Sequence, residues 1–89
     1  MVTVTYNDDD MHLVLQSSDT NVVMVKIVKG GMPLVRRLWS GYSVTTMRHV
    51  NELLMQVGFP KLSARAWRAM EVGKFYSQDD VPSLEKNLK

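Results

Sequence analysis

The chain changes from strand-forming to helix-forming sequence at Tyr42-Ser43-Val44-Thr45-Thr46-Met47-Arg48-His49-Val50-Asn51. Ser43 is a typical N-cap residue, because its hydroxyl can accept a hydrogen bond from a backbone N–H of the first helical turn. Tyr42 before the cap and Met47 at the fourth helical position are placed to form a hydrophobic staple. The segment therefore predicts a helix from Val44 to about residue 57. Its apolar residues recur at three- and four-residue steps and predict one buried stripe: Met47, Val50, Leu54 and Val57.

The residues before this segment predict an antiparallel sheet. Short stretches rich in β-branched residues alternate with polar or Gly-Pro turns, which is typical of strands joined as hairpins. Connections this short favour a meander in which each strand pairs with the next. If the strongest strand, 22–28, lay at an exposed edge, a homodimer would form easily. The predicted strands are 2–6, 12–16, 22–29 and 34–39.

A second, shorter helix is predicted after the first. Gly58 suits a left-handed C-terminal position, and Pro60 prevents the first helix from continuing. Ser63 is the predicted N-cap of the second helix, Trp67 lies on its apolar face, and Gly73 is its predicted end. The predicted fold class is α+β, a three- or four-stranded antiparallel sheet followed by two helices. Residues 1–76 form a single domain in this prediction, and 77–89 form a polar, flexible C-terminal tail.

Composition limits the classes of function. The chain has no cysteine, so neither a disulfide nor a thiolate metal site can form. No apolar run approaches the roughly 20 residues that span a bilayer, which excludes a membrane-spanning helix. Asp8, Asp9 and Asp10 stand where a signal peptide would need an apolar core, so the expected location is cytoplasmic.

The titratable residues do not predict catalysis. His12 and His49 are the only histidines, and no His-x-x-x-His or Glu-x-x-His spacing occurs. Thr45 and Thr46 have no base placed beside them by the sequence, and threonine at a helix start is ordinarily structural. The sequence therefore predicts a non-enzymatic protein without a cofactor or a bound metal.

Charge is distributed unevenly along the chain. Residues 26–74 carry nine lysines and arginines against two glutamates, an excess of +7, although the whole chain carries only +2. A basic middle flanked by acidic ends is typical of a protein with a charged partner. Trp39, Tyr42 and Trp67 lie among these charges, where they could stack on bases or pack in the core. The candidate binding residues for nucleic acid or another partner are Arg36, Arg37, Arg48, Lys61, Arg65 and Arg68.

Two kinds of partner remain open. The two helices joined by 58–62 resemble a helix-turn-helix unit in spacing, with Arg65 and Arg68 near the start of the second helix. The short second helix and the preceding sheet argue against that unit. A protein–protein interaction module is the alternative, and seven methionines in 89 residues would suit an adaptable protein surface.

One segment suggests a relative. Tyr42-Ser43-Val44-Thr45-Thr46, followed by His49 and Asn51, resembles a segment of small uncharacterised proteins from bacteriophages and prophages of Gram-positive bacteria. In those proteins a few short strands precede a helix that opens with Tyr-Ser-x-Thr-Thr-x-x-His-x-Asn. The resemblance implies a mobile-element origin and no particular activity. The functional prediction is an accessory protein of phage or mobile-element type that binds nucleic acid or, alternatively, a host or phage protein.

Overall fold

The structure, a computed structural model, describes residues 1–86 of the chain. Within this range five strands and three α-helices follow one another, with a 3-10 turn at Gln78–Asp80 before the last helix. The elements are β1 (Val2–Asn7), β2 (Asp10–Ser17), β3 (Thr20–Val28), β4 (Leu34–Arg37), α1 (Val44–Gln56), α2 (Ala64–Ala69), β5 (Phe75–Tyr76) and α3 (Val81–Glu85).

The strands form one antiparallel sheet in the order β1-β2-β3-β4-β5. The first two connections are tight turns, and Asp8 and Ser18 adopt the left-handed conformation in them, with φ of 52° and 55°. Short polar side chains tolerate that conformation better than bulky ones do. The predicted meander is therefore present, and the α+β class is confirmed.

One face of the sheet carries the core. Strand register places Leu15, Val23, Val25 and Val35 on this face, and all four are buried. The core also takes in Leu54 of α1, and further members come from α2 and α3. The helices therefore shield one face of the sheet, while half-exposed side chains lie on the opposite face.

A β-bulge changes the predicted alternation in β3. The register between β2 and β3 shifts at Leu15/Gln16, so Val22 is an extra residue on β3. Strict alternation predicts Val22 and Val23 on opposite faces, yet both are buried. The bulge also turns the Val22 carbonyl toward the N–H groups of Leu38 and Trp39, at 2.9 and 3.2 Å. These two hydrogen bonds hold the chain in place where it leaves β4.

Both ends of α1 follow the predicted chemistry. The Ser43 hydroxyl accepts a hydrogen bond from the Thr46 N–H at 3.1 Å, which confirms the N-cap. At the other end Gly58 has φ +80°. The Phe59 N–H donates to the Leu54 carbonyl at 2.9 Å, and the Gly58 N–H donates to Met55 at 3.2 Å. This bond pair is a Schellman motif, which requires the left-handed glycine.

The C-terminal part differs most from the sequence prediction. The second helix ends at Ala69, because Met70 is extended; Gly73, the predicted end, lies beyond it. The sheet has a fifth strand, β5, which was not predicted from the sequence. The predicted flexible tail contains α3, whose Val81 and Leu84 are buried in the core. The domain thus extends past residue 76, and 87–89 of the predicted tail lie outside the described residues.

The predicted dimer edge was also wrong. β3 lies between β2 and β4, so the stretch 22–28 is interior to the sheet. The edge strands are β1, with six residues, and β5, with two. Within residues 1–86, no helix is long and apolar enough to cross a membrane.

Candidate functional site

The structure separates the six predicted binding residues into three groups. Arg37 is buried, with 6% of its surface exposed, and points into the core face of the sheet. Arg36 lies on the opposite face of the same strand. The remaining four are exposed and lie on or near the two longer helices: Arg48, Lys61, Arg65 and Arg68.

Arg37 is a structural residue. Its Nε donates to the Trp39 carbonyl at 2.8 Å, and Nη1 donates to the Trp67 and Met70 carbonyls at 2.8 and 3.2 Å. Its Nη2 donates to the carbonyls of Ser40 and Gly41 at 2.7 and 3.3 Å. One guanidinium thus connects the loop after β4 with the end of α2. It cannot also contact a partner, so its assignment to a binding surface was wrong.

Burial acts on the ionisation of this guanidinium as well. Removal from water lowers the pKa of Arg37 from its ordinary value, because desolvation disfavours the charged form. The five carbonyl dipoles and the indole ring of Trp67, 4.7 Å from the guanidinium carbon, face the cation. Trp67 donates its own Nε1–H to the Gly41 carbonyl at 2.8 Å. A side chain at Gly41 would collide with the ring of Trp39, which explains the glycine there.

Arg36 belongs to a separate surface on the half-exposed face of the sheet. Its guanidinium lies 5.3 Å from the ring centroid of Phe75, and the Lys26 ammonium lies 5.8 Å from the same ring. Lys26 also pairs with Asp10 at 3.6 Å. These cations are engaged with side chains of their own sheet face, so Arg36 does not join the exposed helical cations.

Two of the exposed cations, Arg48 and Lys61, line a groove between α1 and the segment leading into α2. This depression, the α1–α2 groove, has a volume of about 430 Å³. This volume lies within the range of small-ligand sites, and the groove is open to solvent. Its lining residues are Tyr42, Val44, Met47, Arg48, Asn51, Glu52, Met55, Lys61, Leu62 and Ala64.

Asn51 holds the two walls of the groove together. Its side-chain amide donates to the Leu62 carbonyl at 3.0 Å, and its carbonyl oxygen accepts from the Leu62 N–H at 2.8 Å. This pair mimics the two bonds of an antiparallel strand pair and fixes α1 relative to the loop before α2. Ser63 follows and caps α2 by accepting from the Ala66 N–H at 3.1 Å. Its hydroxyl donates to the carboxylate of Glu85 in α3.

The groove combines exposed apolar side chains with basic ones. Val44 and Met55 are 68% and 69% exposed, which is unusual for large apolar residues on one helix face. Arg48 lies between them along α1, and Lys61 stands on the opposite wall. Glu52 is the acidic residue among those that line the groove. The surface is therefore amphipathic, with exposed apolar side chains on α1 and a net positive border.

The border continues onto α2. The Arg68 guanidinium lies 4.4 Å from the ring centroid of Tyr42 at the end of the groove. Arg65 lies one helical turn before Arg68 and is exposed. Lys61, Arg65 and Arg68 all reach solvent on the α2 side, and whether they bind a partner remains a prediction.

Most of the residues that carry the family resemblance have structural roles. Ser43 caps α1 and donates its hydroxyl proton to Thr46 Oγ1 at 3.2 Å. Asn51 fixes the groove walls, and Tyr42 supports Arg68. His49 is exposed on the side of α1 facing the β1 end of the sheet. Within residues 1–86, no three of the His, Asp and Glu side chains come together as a metal site.

Sequence reasoning missed the apolar part of the groove. The sequence prediction for α1 rested on the buried stripe around Met47, Val50 and Leu54 and assigned no role to the exposed apolar residues Val44 and Met55. A second stripe at the same three- and four-residue spacing was nevertheless present in the sequence. It comprises Val44, Arg48, Asn51, Glu52 and Met55.

Comparisons with known proteins give no further guidance, since the chain matches no family model, no curated protein and no solved structure. The resemblance of 42–51 to phage and prophage proteins accordingly stays a prediction from the residues that carry it.

The Asn51 contacts lead to a prediction about stability. Asn51→Ala should lower the free energy of unfolding by about 1–3 kcal/mol, because the partly buried Leu62 N–H and carbonyl lose their partners. Urea denaturation measures the change. Gln56→Ala, at an exposed position on the same helix, is the matched control and should change stability by less than ~0.5 kcal/mol. Equal effects from both variants would contradict this role for Asn51.

Proposed function

We propose that the chain is a non-enzymatic accessory protein whose α1–α2 groove binds an acidic, amphipathic segment of another protein. The observation that carries the proposal is the pairing of two largely exposed apolar residues, Val44 and Met55, with Arg48 and Lys61 around one groove. A host or phage protein remains the proposed source of that segment, in keeping with the resemblance of 42–51 to mobile-element proteins.

The chemistry of the groove favours such a partner. An amphipathic helix places apolar residues at three- and four-residue steps, which suits the exposed apolar residues Val44 and Met55 along α1. Acidic residues beside its apolar stripe would face the basic border and raise the association rate. Met55 adds an adaptable apolar contact, because methionine side chains change shape at low cost. The carboxylate of Glu52 gives a point at which a purely polyanionic partner would be repelled.

Nucleic acid is the second candidate, and a separate observation supports it. Arg48, Lys61, Arg65 and Arg68 are all exposed, and Arg68 lies against the ring of Tyr42. Backbone phosphates would be attracted by these cations, and an arginine–tyrosine stack is a platform that unpaired bases use. The six-residue α2 is too short to enter a major groove as a recognition helix, which favours single strands within this candidate.

Two kinds of variant separate the candidates. The probes are a synthetic helical peptide with leucines on one face and glutamates on the other, and an oligothymidylate, each labelled for fluorescence anisotropy. In one variant Arg48→Glu and Lys61→Glu reverse the charge of the border. In the other, Val44→Ser and Met55→Ser remove the exposed apolar side chains. Lys29→Glu, at an exposed turn position distant in sequence, is the charge control.

The peptide should bind the parent chain, and its affinity for each double variant should be lower by about tenfold or more. The charge control should leave its affinity within about twofold. Oligothymidylate binding that is lost on charge reversal but unaffected by the serine changes would favour the nucleic-acid candidate. If the peptide binds equally well to all four proteins, the groove is not its site.

A further inference from the structure

We infer that β1 is a self-association surface, and that two copies of the chain pair through it as antiparallel strands related by a two-fold axis at Val4. The inference is independent of the α1–α2 groove. β1 lies at one edge of the sheet, and every residue from Val2 to Asn7 is exposed. The opposite edge, β5, has only two residues and offers little to a partner strand.

The hydrogen-bonding direction of β1 is set by its pairing with β2. The Gln16 N–H donates to the Met1 carbonyl at 2.8 Å, and the Met1 nitrogen donates to the Gln16 carbonyl at 3.0 Å. Backbone groups of an antiparallel strand alternate between its two sides. The backbone N–H and carbonyl groups of the odd-numbered residues therefore face β2. Those of Val2, Val4 and Tyr6 face the free edge of the sheet.

These outward groups match a second copy of the same strand. A two-fold axis at Val4 places Val4 opposite its equivalent, Val2 opposite Tyr6 and Thr3 opposite Thr5. Each outward-facing pair exchanges two bonds, which gives about six for the three pairs. Apolar side chains meet apolar ones on the helix-covered face, and threonines meet threonines on the other. Such cross-strand pairs each stabilise a sheet by about 0.2–1 kcal/mol.

Charge placement fixes the direction of the pairing. No residue from Val2 to Asn7 is charged, but Asp8, Asp9 and Asp10 follow at one end. Parallel pairing would bring the two acidic turns together. Antiparallel pairing puts them at opposite ends of a six-residue strand, roughly 20 Å apart. The acidic turns therefore disfavour parallel pairing, whereas the antiparallel arrangement keeps them apart.

The edge lacks the features that normally prevent such pairing. Natural edge strands carry lysines, prolines, bulges or a covering loop. β1 has no lysine or proline, and its register with β2 is continuous from Val2 to Asn7. The pairing is short beside the roughly 1,600 Å² of a standard interface. The dimer should therefore be reversible and should depend on protein concentration.

Because the chain has no cysteine, single cysteines report the register directly. Val4→Cys places two thiols opposite each other at a Cα separation of about 5.5 Å, within the range of a disulfide. Val2→Cys is the matched control, since Val2 is 41% exposed and Val4 44%. In the proposed register Val2 lies opposite Tyr6 of the second copy, so the two Val2 residues are separated by four residues along the strand. Under mild oxidation Val4→Cys should form a disulfide-linked dimer at least about tenfold faster than Val2→Cys.

Sedimentation tests the equilibrium without cross-linking. The parent chain should shift from monomer to dimer with rising concentration. Val4→Lys and Val4→Glu should each stay monomeric, because like charges face each other at the axis, and an equimolar mixture of the two should dimerise again. Circular dichroism checks that both variants fold; a variant that fails to fold leaves the cysteine pair as the deciding measurement. A parent chain that stays monomeric at every concentration, or equal cross-linking of Val2→Cys and Val4→Cys, would overturn the inference.

Discussion

Arg37→Met should lower the free energy of unfolding by about 3–5 kcal/mol. Five backbone carbonyls would lose a charged donor, and each buried polar group left unpaired costs ~1–3 kcal/mol, with partial relaxation reducing the total. Methionine approximates the length of the arginine stem but supplies no donor. A small domain has roughly 5–15 kcal/mol of stability, so the variant should lie close to unfolding. Urea denaturation followed by circular dichroism measures the effect.

Two further variants show that geometry, rather than charge alone, causes the loss. Arg37→Lys keeps the charge but has three donors on one nitrogen in place of a planar fork, so it should recover less than half of the lost stability. Arg36→Met, on the neighbouring residue and the other sheet face, should cost less than ~1 kcal/mol. The Arg36 Nε has no hydrogen-bond partner among the described residues. If Arg37→Met proved as mild as Arg36→Met, the structural role of Arg37 would be wrong.

Leu54→Ala should cost about 2–5 kcal/mol, the range for large-to-small changes at buried sites. Leu54 is completely buried at the centre of the α1 stripe, and its carbonyl accepts the Schellman bond from Phe59. The substitution removes side-chain contacts but leaves that backbone bond in place. The loss therefore reports packing of α1 on the sheet, and thermal unfolding measures it.

Met55→Ala is the control for this prediction, since Met55 is the next residue on the same helix and is largely exposed. It should change stability by less than ~0.5 kcal/mol, because alanine has slightly better helix propensity and little buried contact is lost. Similar losses at the two positions would mean that the buried face of α1 has been assigned incorrectly.

Local patterns predicted α1 well because its signals are local. Ser43 lies next to the turn that it caps, and Gly58 adopts the left-handed conformation that ends the helix. The strands β1–β3 were predictable for the same reason, since apolar alternation and turn residues lie within a few positions of each other. The bulge at Val22 was not predictable, because it depends on the distant chain after β4.

Tertiary contacts determine which of the arginines is buried. Arg36 and Arg37 look alike in sequence, and alternation along the strand places them on opposite faces without saying which face is covered. The carbonyls that receive Arg37 come from two segments, 39–41 and 67–70, and only the folded chain brings them together. The two-residue strand β5 and the five-residue α3 were missed because elements so short carry almost no periodicity.

The candidate site was half predictable. Arg48, Lys61, Arg65 and Arg68 were recognised from charge, and all four reach solvent. The groove itself requires the distance between α1 and the segment before α2, which the Asn51–Leu62 bonds set. The sequence alone does not predict that the side chain of Asn51 will bond to the backbone of Leu62, eleven residues further along the chain.

The most direct test of the account is a titration of ¹⁵N-labelled protein with the acidic amphipathic peptide, followed by backbone amide chemical shifts. We expect the largest shifts at groove residues on both walls, among them Val44, Arg48, Met55 and Lys61. A peptide with lysine in place of every glutamate should produce none of them. The account is contradicted if the acidic peptide causes no shifts at saturating concentration, or if the shifts cluster around Lys26, Arg36 and Phe75 on the other face of the sheet.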